Sequence, residues 1–79
     1  MFLEITKATY LYDYILKITF NNGECRIFDF EKVISHYPVF APLHDIALFK
    51  NFTVTDTLEW NNGNIDIAPE YIYEHGKAA

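Results

Sequence analysis

The sequence is poor in sulfur, glycine and serine, and each shortage excludes something. Cys25 is the one cysteine among 79 residues, so no intramolecular disulfide can form. A lone thiol suits a reducing compartment, and a cytoplasmic location is expected. Cys25 itself reads as a small buried or half-buried strand residue. Three glycines leave no phosphate-cradling loop. Ser35 is the only serine, and His36 beside it points elsewhere on any regular element, so no Ser-His-Asp set arises. No run of about 18 apolar residues supplies a membrane span. The opening Met1-Phe2-Leu3-Glu4 has neither a basic region nor a long apolar run and does not read as a signal peptide. No Pro-, Gly- or Ser-rich stretch divides the chain, so a single domain over residues 1–79 is expected.

Positive charge is also scarce. Six basic residues against eleven acidic ones give a formal net charge of -5. That sign argues against a general nucleic-acid binder, which needs Lys and Arg to neutralise phosphates. An acidic surface favours a basic protein partner instead, because opposite charge speeds encounter. What the chain has in quantity is apolar mass: 51% hydrophobic residues, with seven Phe, six Tyr and one Trp. This is too much for a disordered acidic segment. A domain of this size buries only roughly 60% of its unfolded surface, so the core is small and each aromatic counts.

The patterning points to antiparallel hairpins. Leu3 to Tyr10 reads as a first strand, with a turn at Tyr12-Asp13. Tyr14, Leu16, Ile18 and Phe20 then alternate with more polar residues at a period of two. Asn21-Asn22-Gly23 and Asn61-Asn62-Gly63 each place Asn-Gly, a supplier of two positive-φ residues, between strand-like segments. The return strand Glu24 to Phe30 is mixed in phase, which a bulge or cover on both faces explains. Asp29 and Asp45 are positioned to cap short helices running through Ser35 and through Ile46 to Lys50. Pro38 and Pro42 keep the stretch between them from being helical throughout. Phe52, Val54, Leu58 and Trp60 form one strand face, with a break at Asp56. Pro69 opens a last helix, Glu70 favours its positive start and Gly76 closes it. Gly76-Lys77-Ala78-Ala79 is expected to fray. The expected fold is α+β, with about five strands and two or three short helices.

The last third carries a resemblance. Trp60-Asn61-Asn62-Gly63, Ile65-Asp66-Ile67-Ala68-Pro69-Glu70 and Tyr71-Ile72-Tyr73-Glu74 together resemble the C-terminal signature of the bacterial domain-of-unknown-function family 2442. Its structural positions here are Trp60, Gly63, Asp66, Pro69, Glu70 and Tyr73. Phe28-Asp29-Phe30, Pro38-Val39-Phe40, Leu43, Asp45, Phe49, Thr19-Phe20 and Gly23-Glu24 extend the likeness from about Ile5 to Glu74. The resemblance implies a small α+β domain. In one two-domain bacterial relative it precedes a helix-turn-helix. In other members it stands alone, or lies beside a second small protein in a pair regarded as toxin–antitoxin-like. It carries over no catalytic residue. This chain ends soon after the signature, so a following helix-turn-helix is not expected.

Four groups of residues invite a functional reading. His36, His44 and His75 lack metal-ligand spacing and read as surface or loop residues, so no metal and no cofactor are expected. Asp66 and Glu70 suit helix capping and the helix dipole better than acid–base catalysis. Trp60, with Asn62 and Asp66, forms a candidate ligand pocket, although its phase with Phe52, Val54 and Leu58 favours the core. Tyr10, Tyr12, Tyr14, Tyr71 and Tyr73 form a candidate interface, since tyrosine is enriched where proteins meet. The leading expectation is therefore a non-enzymatic protein-interaction or regulatory module, antitoxin-like in setting. Its partner is a basic protein encoded nearby, with a homodimer left open. The alternative is a small-molecule sensor with an aromatic-lined pocket near Trp60.

Overall fold

A computed structural model describes residues 2–79; Met1, part of the opening segment read above, lies outside them. Two antiparallel sheets share one core. The larger has the order β1-β2-β3-β7, from β1 (Ile5–Tyr12), β2 (Ile15–Phe20), β3 (Cys25–Asp29) and β7 (Lys77–Ala78). The smaller has the order β4-β5-β6, from β4 (Thr53–Val54), β5 (Leu58–Trp60) and β6 (Ile65–Ile67). Between them in the chain run α1 (Glu31–His36), a 3-10 helix (Pro38–His44) and α2 (Ile46–Lys50), while α3 (Pro69–His75) precedes β7. The fold is α+β, as expected, but the strands number seven because β4 and β7 are only two residues long. No helix among the described residues is long and apolar enough to cross a membrane.

In β2 the period-two pattern works as read: Leu16, Ile18 and Phe20 are buried and Lys17 is exposed. β1 does not keep a single phase. Its pairing with β2 slips between Ile5 and Lys7 and again between Tyr10 and Tyr12. The first slip lets Ile5, Ala8 and Tyr10 share the core face opposite Phe20, Ile18 and Leu16. The second sends Tyr12 to the outer face, opposite Ile15. An extra residue in one strand inverts every side chain beyond it.

β3 pairs with β2 without a slip, so no bulge explains its mixed phase. Its core-side residues are Arg26 and Phe28, opposite Ile18 and Leu16, and Arg26 is accommodated there by α3. Its Nε donates to the Tyr73 carbonyl at 3.0 Å, and the guanidinium lies 4.1 Å from the centre of the Tyr73 ring. Cys25 and Ile27 lie half-buried on the other face.

The caps hold with one displacement. Asp45 Oδ1 accepts from the Ala47 N–H at 3.0 Å, and Asp29 Oδ1 accepts from the Glu31 N–H at 3.0 Å although Phe30 occupies the formal cap position. Pro38 to His44 is helical after all, but as a 3-10 helix, with Pro42 inside it. The two Asn-Asn-Gly turns are unlike each other. The first uses a positive φ only at Gly23, whose N–H bonds the Phe20 carbonyl at 3.0 Å. The second places Asn61, Asn62 and Gly63 all in the left-handed region.

The C-terminal residues do not fray. Lys77 and Ala78 pair with Ile27 and Arg26 and add an edge strand to the larger sheet. Gly76 enables this by lacking a side chain rather than by its φ of -78°. A Cβ there would stand 2.8 Å from the Ile72 carbonyl oxygen and 2.9 Å from the Arg26 Cβ.

Candidate functional site

The aromatic residues divide into a core hub and a surface surplus, and the division follows from the strand phases above. Phe49, fully buried on α2, is the hub. The rings of Tyr10, Tyr14, Phe30 and Trp60 surround it at centroid distances of 6.3, 5.3, 5.5 and 5.9 Å. Pairs in such edge-on and offset geometries each add about 0.5–1.5 kcal/mol beyond area burial. Trp60 is 1% exposed, and its indole N–H donates to the Phe49 carbonyl at 2.8 Å.

The pocket expected at Trp60, Asn62 and Asp66 therefore does not assemble. Trp60 is sealed in the core, while Asn62 and Asp66 are exposed. Nor is Asp66 a cap: Ala68 holds the cap position of α3, without a side-chain bond. Asp66 instead stands on β6 directly opposite Glu59 of β5. Like charges placed opposite each other across a strand pair are destabilising.

The five candidate interface tyrosines also part company. Tyr10 and Tyr14 are half-buried against Phe49, and the Tyr14 hydroxyl donates to the His44 carbonyl at 2.5 Å. Tyr73 packs edge-on against Phe20, and its hydroxyl donates to Glu24 Oε2 at 2.5 Å. Glu24 also pairs with Arg26 at 3.2 Å. Hydrogen bonds from Tyr73 and then Arg26 hold the Glu24 carboxyl below its ordinary value of 4.5. Tyr12 is exposed, and Tyr71 is half-buried between Phe28 and His75. The three histidines are surface residues, as expected, and stand in the last turns of α1, the 3-10 helix and α3. No group of three or more His, Cys, Asp or Glu side chains able to hold a metal occurs among the described residues.

Two concavities flank Tyr71. One is a groove of about 300 Å³, where the N-terminal end of α3 faces α1 and the 3-10 helix. Tyr37, Phe40, Ile67, Ala68 and Tyr71 line it, with Asp66. The neighbouring Val39 is 56% exposed and Tyr37 51%. No local pattern marks Tyr37 and Phe40 as groove residues, because Pro38 and Pro42 signal only a break in helix. The other concavity, of about 560 Å³, opens at the end of the larger sheet between β2, β3, α1, α3 and β7.

These features define the class: a small two-sheet α+β domain with an aromatic hub and grooved surfaces. The model of a family described as "Protein of unknown function (DUF2442)" matches residues 5–78, and the chain belongs to that family. No curated protein and no solved structure matches it.

Proposed function

We propose that this domain is a non-enzymatic interaction module whose groove between Tyr37 and Tyr71 receives a basic, partly apolar segment of another protein. The observation that carries the reading is an apolar groove with a carboxylate at its edge. Tyr37, Phe40 and Ile67 supply the apolar lining, and Asp66 faces Glu59 across β6 and β5, neither of them in the salt bridge found among the described residues, Arg26–Glu24. A Lys or Arg from a partner would relieve that like-charge opposition, while an apolar side chain fills the groove. Segment 45–74 supports the same polarity, since it holds six carboxylates and one lysine. Opposite charge across an interface raises the encounter rate and rejects wrong partners. The regulatory, antitoxin-like setting suggested by the family resemblance fits such a module, as does a reducing cytoplasm for the single thiol Cys25.

The test is calorimetry of the purified chain against the protein encoded beside it. Micromolar binding that Asp66→Lys weakens by about tenfold or more supports the reading. No binding, or binding indifferent to Asp66→Lys and to Tyr37→Ser, overturns it.

A further inference from the structure

The larger concavity carries the opposite charge to the groove and has a different shape. It exists because β7 is too short. β7 pairs with β3 only at Arg26 and Ile27, so the Phe28–Asp29 end of β3 has no strand beside it there. The second register slip of β1 brings Tyr12 to the outer face opposite Ile15, and both line this space with Ile27. From α3, Tyr71 and His75 enter with their rings 4.4 Å apart. The walls are therefore isoleucine and valine side chains and four rings, those of Tyr12, Phe28, Tyr71 and His75.

The charge is concentrated at the rim. Lys32 of α1 and Lys77 of β7 line the cavity, together with His75. Neither lysine has an ion-pair partner among the described residues, where Arg26–Glu24 is the salt bridge formed. One carboxylate, Asp29, also lines the cavity, and its Oδ1 accepts from the Glu31 N–H. Two of the chain's six basic residues thus meet one opening in a protein of net charge -5. A volume of about 560 Å³ lies within the roughly 300–1,000 Å³ of small-molecule sites, which pair apolar walls with a few placed polar groups.

We infer that this cavity is a binding site for a small aromatic carboxylate, its ring against Tyr12, Ile15 and Ile27 and its anionic group on Lys32 and Lys77. The lysines act as flexible point charges, which suits a carboxylate projecting toward solvent. The site shares Tyr71 and Val33 with the Asp66 groove but differs from it in charge, so substitutions at Lys32 and Lys77 and at Asp66 let the two fail independently.

The experiment is an amide NMR titration of the full chain with 1-naphthoate, with neutral 1-naphthamide as control. The expected result is saturable binding of the acid with shifts at Ile15, Ile27, Lys32 and Lys77. The amide should bind about tenfold more weakly or worse. The double variant Lys32→Met/Lys77→Met should lose acid binding by a similar factor while keeping a folded spectrum, and Asp66→Lys should leave it unchanged. Equal affinity for acid and amide, shifts elsewhere on the surface, or no saturation would overturn the inference. If the lysine variant fails to fold, the acid-against-amide ratio on the unmodified chain decides alone.

Discussion

The two sheets of this molecule differ in length, regularity and charge. The larger has eight-, six- and five-residue strands finished by a two-residue edge. The smaller has strands of two and three residues. A sheet of such short strands gains little by itself; it stands because Trp60, Leu58, Ile65 and Ile67 are buried against the rest of the core. The charges divide along the same line. Residues 2–44 with 75–79 carry five acidic and five basic side chains, so the whole surplus of -5 belongs to segment 45–74. One region is a neutral frame. The other is a small acidic platform held in place by Phe49 and Trp60. The frame supplies the order, and the platform is left free to present charge that does not help it fold.

Trp60→Ala should break this arrangement most severely. It removes the indole from the hub and leaves the Phe49 carbonyl unbonded, at about 3–5 kcal/mol. Small unstapled domains have only about 3–5 kcal/mol in hand. Circular dichroism and urea denaturation should therefore find both sheets lost together; survival of the larger sheet alone would show that the frame is independent.

Gly76→Ala attacks the frame at its edge. The added Cβ meets the Ile72 carbonyl at 2.8 Å, and overpacking of that kind costs about 1–3 kcal/mol. Hydrogen exchange should show β7 released while the amides of β5 and β6 keep their protection.

Asp66→Lys sharpens the contrast, because stability and function should move in opposite directions. Replacing a like-charge pair with an opposite-charge pair opposite Glu59 should stabilise the free domain by about 0.2–1 kcal/mol. The urea midpoint should rise while partner binding falls.

The smallest effect is at Glu24, in the frame. Its carboxyl is held below 4.5 by Tyr73 and Arg26. A folded-state value depressed below the unfolded one contributes stability at pH above the unfolded value, and loses it as pH falls through the folded value. The difference in urea midpoint between the parent and Glu24→Gln should thus be present at pH 7 and shrink below pH of about 4; a gap constant with pH would show that the carboxylate contributes nothing by its charge.

Much of this architecture is written locally. The alternation Leu16-Ile18-Phe20, the cap at Asp45, the break at Asp56 and the start of α3 at Pro69 all depend on neighbours in the chain. They appear in the structure where the pattern places them. What the pattern does not contain is pairing at a distance. The slips in β1 are set by β2, and they separate Tyr12 from Tyr10 and Tyr14. Arg26 looks out of phase until Tyr73, far along the chain, receives it. Lys77 and Ala78 have no strand signal of their own; β3 and the missing side chain at Gly76 make them a strand. For the sites, the choice of Trp60 as core over ligand platform was legible from its phase. The groove was not, because Tyr37, Phe40, Ile67 and Tyr71 come from the link after α1, the 3-10 helix, β6 and α3.

The central claim is that a basic partner is met by the acidic platform together with the Tyr37–Phe40 edge of the frame, and not by the larger sheet. Amide NMR mapping tests it directly, with the peptide acetyl-Lys-Leu-Arg-Phe-Lys-amide and its acidic counterpart acetyl-Glu-Leu-Asp-Phe-Glu-amide. The account expects the basic peptide to shift amides of Tyr37, Phe40, Glu59, Asp66 and Tyr71, with the acidic peptide silent there and Asp66→Lys abolishing the response. Shifts confined to β1, β2 and β3, or equal responses to both peptides, would contradict it.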